Sequence, residues 1–228
     1  MKLKALLMLL AAMAIWTKPL SGEIKGRVDV GPAYIQVDVL QSGRTTHTRH
    51  LWAARGDATI VFWKGIFLKP TATWGEGDAR LAVGGIGIGQ VIPVYEGLLL
   101  MPSVGVVWSY FHTKIDVEVP GLPLFEDLTE KFRSRSPYIA LEFSYQINAK
   151  WTLMGTYQYA WSQTHTDIKP LVSDDKSHSC GPNYSLAIDY SINKSWSATL
   201  GVGYNITLSK EKHGLRGSGV KLGVAYYF

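Results

Sequence analysis

A single cysteine, Cys180, occurs in 228 residues, so no internal disulfide can hold this chain together. Charge is also scarce: Asp, Glu, Lys and Arg make up 18%, against about 25% in soluble domains. Net charge is +5, but Lys2, Lys4 and Lys18 lie in the first 22 residues with no acid beside them, which leaves 5 − 3 = +2 for the remainder. That is not the charge of a nucleic-acid-binding protein. No Gly-x-Ser-x-Gly occurs, so the nucleophile elbow of a lipase-like hydrolase is missing. Beyond the N-terminus no apolar run reaches the ~18 residues of a transmembrane helix. Yet the chain is 46% hydrophobic and 12% aromatic, too apolar for disorder and short enough for one domain. These apolar residues need an arrangement other than a spanning helix.

The first segment reads as an address. Lys2 and Lys4 precede an apolar stretch from Ala5 to Trp16, which fits the charged and hydrophobic regions of a secretory signal peptide and is too short to cross a bilayer. Leu20-Ser21-Gly22 offers small residues for cleavage. Residues 1–22 are therefore expected to be a leader and 23–228 the mature domain.

Strict alternation fills the rest. Val220, Leu222, Val224, Tyr226 and Phe228 alternate with Lys221, Gly223, Ala225 and Tyr227, and Trp196, Ala198, Leu200, Val202, Tyr204, Ile206 and Leu208 alternate with Ser, Thr, Gly and Asn. Period two over such lengths is a strand pattern. It recurs over 184–192, 151–162 and 139–147. Less regular strands are expected near 26–40, 50–63, 66–75, 79–92 and 98–113. Parity slips at Gly84-Gly85 and around Tyr34-Ile35 read as β-bulges. The total is ten strands, or eight if two early ones merge or fail to pair. Tight connections near Lys64-Gly65, Pro93 to Gly97, Asn148 to Lys150 and Asn193 to Ser195 alternate with longer ones at 41–49, 114–135, 163–181 and 210–216. Gly75 to Asp78 is the one short turn on the long-loop side. An all-β, up-and-down antiparallel barrel that crosses a membrane is the expected fold.

A soluble barrel would have to hold Trp151, Trp161, Trp196, Phe143, Tyr157, Tyr159 and Tyr204 inside, more than a ten-strand lumen accommodates. Turning the apolar face toward lipid removes the difficulty, and closure leaves no unpaired edge in hydrocarbon. Trp151 and Trp196 each follow a tight turn, whereas Trp52, Trp74, Trp108 and Trp161 sit toward the long-loop ends, as two aromatic girdles would. Trp63 has lumen parity and is left unassigned.

The terminal Phe228, with Tyr226, Val224, Leu222 and Val220 at alternate positions before it, resembles the C-terminal signature of bacterial outer-membrane barrels. That resemblance implies insertion into the outer membrane by the barrel-assembly machinery. Ser136-Pro137-Tyr138-Ile139-Ala140-Leu141, followed by Tyr145, is similar to a strand of the omptins, ten-strand surface proteases. Omptins carry Asp-x-Asp on the second long-side turn and Asp-x-His on the fourth. Here those turns offer Glu76-Gly77-Asp78 and, in reversed order, His165-Thr166-Asp167. Neither pair is intact, so the resemblance implies the fold more than the protease.

Proteolysis would require Glu76, Asp78, His165 and Asp167 to converge across the mouth, with the carboxylates holding a water and the histidine taking its proton. All six histidines, His47, His50, His112, His165, His178 and His213, fall on the long-loop side, where a metal site or merely solvated loops would place them. The Gly84-Gly85-Ile86-Gly87-Ile88-Gly89 run lacks a following helix and reads as lumen-facing glycine rather than a nucleotide loop. Parity puts Asp29, Arg55, Asp57, Lys69, Glu142, Asp189 and Lys221 inside, where enclosed charges persist only when paired. The loop charges sum to zero, so no bulk preference for a partner emerges. Leu122, Leu124, Phe125 and Leu128 are candidates for a lid over the mouth.

The reading is an outer-membrane β-barrel with a surface structural or interaction role and at most weak passive permeability. Its alternatives are a small-solute porin and an omptin-like protease or other rim enzyme. No catalytic, cofactor-binding or metal-binding residue is assigned, and no cofactor is expected. Its expected partners are outer-membrane lipid and the barrel-assembly machinery, not nucleic acid; any extracellular ligand is unspecified.

Overall fold

The computed structural model describes residues 25–117, 125–169 and 172–228. The leader expected over 1–22 and the side chains of the expected lid, Leu122 to Leu128, lie outside the described part. Eleven strands follow in order: β1 (Lys25–Gln41), β2 (Arg44–Val61), β3 (Ile66–Gly77), β4 (Ala79–Gln90), β5 (Ile92–Tyr95), β6 (Leu98–Val117), β7 (Phe125–Gln146), β8 (Trp151–Lys169), β9 (Val172–Ser191), β10 (Trp196–Leu208) and β11 (Gly214–Tyr227). Neighbours pair antiparallel, β11 returns to β1, and β4 pairs directly with β6. The sheet therefore closes with ten strands, and β5 is a four-residue addition inside the expected Pro93–Gly97 turn.

The turns at one end are short for local chemical reasons. Asn148 Oδ1 accepts hydrogen bonds from the backbone N–H groups of Lys150 and Trp151, and Asn193 Oδ1 does the same for Ser195 and Trp196. Each asparagine mimics a backbone turn and delivers a tryptophan three residues later at the start of a strand. At the other end, Ser42 and Gly43 both have positive φ, 50° and 78°, the two-residue hairpin geometry that matches strand twist. The expected long loop at 41–49 is thus a tight turn. Likewise 114–135 and 163–181 are largely strand: β7 has 22 residues and β9 has 20, about twice the ~9–11 that cross a bilayer. Alternation fades there because these hairpins project past lipid and no longer present an apolar outer face.

Outside, exposed Val220, Leu222, Val224, Leu200, Val202, Ile86 and Ile88 form the apolar belt, as parity requires. Trp52, Trp74, Trp108 and Trp161 are exposed along one margin, Trp151 and Trp196 along the other. Trp63 points outward from its turn, beneath the Lys64 ammonium. Pro32, Pro70, Pro137 and Pro182 also face outward within strands, and each coincides with a break in one neighbouring ladder, as the missing N–H demands.

The two expected bulges are absent. Pairing runs without a shift through Tyr34-Ile35 in β1 and through Gly84-Gly85 in β4; among described strands the shifts lie at Val39/Leu40, Pro93/Tyr95, Ile115/Val117 and Thr166/Ile168. What changes at those places is the environment. Within the belt the apolar positions of β4 are the outward Ile86 and Ile88, but above the girdle they are the inward Ala79 and Leu81. In β1 they change from outward Val28 and Val30 to inward Ile35, Val37 and Val39. Above the lipid the outside meets water, so the hydrophobic effect drives apolar side chains inward.

Candidate functional site: the lumen and the outer rim

All seven charges expected inside do face the lumen, and an eighth joins them. Arg27 shares a face with Asp29, two residues away on β1; this period-two relation was legible in the sequence but not picked out. With Arg27 the described interior toward the short-turn end holds four bases, Arg27, Arg55, Lys69 and Lys221, and four acids, Asp29, Asp57, Glu142 and Asp189. Arg27 contacts Asp29 at 2.7 Å and Asp189 at 3.1 Å, and Lys221 contacts Asp29 at 2.6 Å and Asp57 at 3.7 Å. Asp189 also accepts hydrogen bonds from Tyr227 Oη at 2.6 Å and Thr199 Oγ1 at 2.8 Å. Lys69 pairs with Glu142. Arg55 is exposed within the lumen and acts on Asp57 through space. Asp29, Glu142 and Asp189 are buried, which only such charge-assisted contacts make tolerable.

Beside this network, glycines make room for two rings. A Cβ at Gly87 would stand 2.3 Å from Tyr138 Oη, and one at Gly89 would stand 2.5 Å from Phe67 Cζ. The alternating Gly-Ile run therefore lines a packed lumen, as the strand reading of it required. Toward the hairpin end the filling becomes apolar. Val37, Val39, Leu51, Ala79 and Phe111 are buried together, with Ile35, Leu81, Phe132 and Leu215 packed on them. Sequence reasoning missed this cluster because the parity change was read as bulges.

Above the cluster, Arg49 Nε donates to Thr113 Oγ1 at 2.9 Å. Beside Thr113 on β7 lies buried Glu130. Burial pushes its carboxyl up to about 7. On the outer wall of this projecting region, burial acts to raise the Asp38 carboxyl, but hydrogen bonds from Thr48, Arg216 and Gln36 outweigh it and hold the group below the usual carboxylate range. His112, also outside, is held below the ordinary imidazole value by burial and by the charges of Lys131 and Arg80.

The rim residues considered for proteolysis do not converge. Glu76 is exposed and lies 3.7 Å from Arg80. Asp78 instead completes the turn against β2, accepting the His50 backbone N–H through Oδ2 at 3.0 Å. His165 and Asp167 pair across strands with Arg133 and Lys131 on the outer face. Between Glu76 on β3 and His165 on β8 stand β4, β6 and β7, a separation of about 19 Å at ~4.8 Å per strand. His50 stacks on Tyr34, with Tyr34 Oη 2.9 Å from its Nδ1. Among the described residues no three His, Cys, Asp or Glu side chains gather as a metal-binding group.

The chain shares its fold with solved outer-membrane barrels. It is similar to the outer membrane protease OmpT from Escherichia coli, at 11% identity and TM-score 0.58 over 94% of this chain and 100% of that one. Lesser likeness extends to the COG4313 outer membrane channel from Pseudomonas putida F1, at 9% identity and TM-score 0.48 over 93% and 98% of the two chains. OprG from Pseudomonas aeruginosa follows at 13% identity and TM-score 0.44, over 90% and 95%. At 11% identity the likeness to OmpT speaks of fold alone. No curated protein matches the sequence. The family model described as Protochlamydia outer membrane protein matches residues 83–220, more than half of the chain. The closed barrel, its apolar belt and this match lead to one conclusion: the chain belongs to the Protochlamydia outer membrane protein family and resides in the outer membrane.

Proposed function

We propose that this barrel serves as a structural or interaction protein of the cell surface and that its lumen does not conduct solutes freely. The observation that carries the reading is the double filling of the lumen: the network joining Arg27, Asp29, Asp57, Asp189 and Lys221, and the Phe111–Leu51–Val37 cluster above it. A pore of ten strands has little width to spare, and here side chains occupy it at two levels. Planar-bilayer recording of the refolded protein tests this. No stable conductance steps are expected at any voltage; a steady ohmic conductance would overturn the reading.

A small-solute pore is the second reading. It draws on Arg55 and Asn205, which face the lumen and are exposed there. The protease reading has no comparable observation, since Glu76, Asp78 and His165 stand apart. Of the partners, surrounding lipid is supported by the outward apolar belt. Engagement by the barrel-assembly machinery is supported by Phe228, which is exposed and stacks on Tyr226 while exchanging backbone hydrogen bonds with Gly26.

A further inference from the structure

The outer wall at and above the girdle is electrically one-sided. Cross-strand partners share a face, so three outward rows can be read from the register. The first runs Glu76–Arg80–His112–Lys131–Asp167, the second Trp74–Ala82–Tyr110–Arg133–His165–Lys176, and the third Gly84–Trp108–Arg135–Gln163–His178. Among the described residues of these rows stand five bases, Arg80, Lys131, Arg133, Arg135 and Lys176, against two acids, Glu76 and Asp167. Lys131, Arg133 and Arg135 occupy alternate positions of one strand, about 6.7 Å apart. Neither Arg133 nor Arg135 has a carboxylate within ion-pair distance among the described residues, and both are exposed. On the opposite side of the barrel, Arg216 is neutralised by Asp38 at 2.6 Å. The two arginines are level with the girdle tryptophans Trp74 and Trp108, where lipid headgroups lie.

Next to them the belt is indented. A depression of about 910 Å³ has among its lining residues the outward Ala54, Ala72, Ala82 and Gly84, Trp74 and Trp108, and Arg133. A side chain added at Gly84 would meet nothing within 4 Å, so this part of the wall is open. Its lining is mostly apolar, with the Tyr110 ring beside Arg133 on the outer face and Arg55, Thr73, Ser109 and Ser134 contributing from positions of lumen parity, a combination suited to a hydrocarbon chain ending in an anionic group.

We propose that the β4–β7 side of the barrel holds one outer-leaflet lipid carrying a phosphate headgroup, with the phosphate on Arg133 and Arg135 and an acyl chain in the depression between Trp74 and Trp108. Guanidinium groups bind phosphate oxygens in pairs of parallel hydrogen bonds. The membrane supplies the ligand at high local concentration, so a modest intrinsic affinity suffices. An acidic protein segment would satisfy the arginines but would leave the lipid-level depression unused.

Native mass spectrometry of the folded protein released from detergent micelles tests this, with diphosphoryl lipid A, phosphatidylcholine and inorganic phosphate as probes. One lipid A is expected to remain bound, with phosphatidylcholine and inorganic phosphate retained at least about tenfold less. Arg133→Gln with Arg135→Gln should lower lipid A retention by a similar factor. The charge-matched Lys150→Gln with Lys194→Gln, on the short turns, should leave it unchanged. Gly84→Leu should weaken lipid A without creating phosphate binding. Folding of every variant is verified by heat-modifiable gel migration, and Arg133→Lys with Arg135→Lys should restore part of the retention. Equal retention of lipid A by the double Gln variant, equal retention of phosphatidylcholine by the native protein, or an Arg-dependent preference for a poly-glutamate peptide over lipid A would each overturn the proposal.

Discussion

The same strands fill the lumen with eight charged side chains toward the short-turn end and with nine apolar ones toward the hairpins. β1 contributes Arg27 and Asp29 to the first set and Ile35, Val37 and Val39 to the second; β11 contributes Lys221 and then Leu215. Inside the bilayer the outer wall must be apolar, so burial of hydrocarbon provides no reason to fill the interior, and directional ion pairs hold opposite walls together. Past the bilayer the outer wall meets water and the interior becomes the sole place to hide apolar surface, as in a soluble barrel. The reversal therefore marks the membrane boundary, and the girdle of Trp52, Trp74, Trp108 and Trp161 lies along it.

Removing one member of the ionic half should have the largest effect. Arg27→Ala leaves Asp29 and Asp189 buried beside too little positive charge, and about 3–5 kcal/mol of stability should be lost. Urea unfolding in vesicles measures this, and a loss no larger than that of a surface arginine would mean that water already solvates the network. Phe111→Ala, in the apolar half, should cost about 3 kcal/mol, near the low end for such truncations because Phe132 and Leu81 are only partly buried and can relax into the space. The halves also predict different signatures: Arg27→Ala should make unfolding strongly salt-dependent, whereas Phe111→Ala should not. Identical salt responses would dissolve the distinction. Gly87→Leu ranks third. Its side chain would intrude on the Tyr138 ring, an overpacking cost of about 1–3 kcal/mol, measurable in the same unfolding experiment. No loss would mean that Tyr138 has free space beside it.

The part of the fold governed by lipid was legible in the chain, because a bilayer imposes one apolar face on every strand. Val220 to Phe228 and Trp196 to Leu208 show that face plainly, and the closed ten-strand barrel follows from it. Past the girdle the rule reverses, and a reader who assumes a constant inside and outside must explain Leu81 and Ile86 by a slip of register that the backbone does not make. Ser42-Gly43 carried a hairpin signal of its own, masked by the polar residues after it. The interior charges were legible residue by residue. Their pairing was not, since Arg27 and Asp189 are 162 positions apart and meet only when β11 closes on β1. The outward arginines of β7 were hidden differently: summed with their loops they cancel, and only the register separates them from the acids.

The last predicted effect is read as a slope with pH rather than as a loss on truncation, and it is confined to the water-surrounded half. Glu130 is buried beside Thr113, and burial raises its carboxyl from an ordinary 4.5 to about 7. The folded state therefore holds a proton that the unfolded chain gives up at lower pH. By linkage the stabilising contribution is fully present below about pH 4.5 and is lost as pH rises through about 7. Stability should decline gradually between pH 5 and about 8, and Glu130→Gln, which keeps the neutral shape, should flatten that decline and leave the protein more stable than the native chain at the alkaline end. Asp38 runs the opposite way. Its lowered carboxyl contributes stability at neutral pH that fades as acid protonates it, so the Glu130 window and the Asp38 window do not overlap. Unfolding midpoints across this range check the point: an equal slope in the native protein and the Gln variant would mean that Glu130 is solvated, and that the water-surrounded half is less tightly closed than its apolar cluster implies.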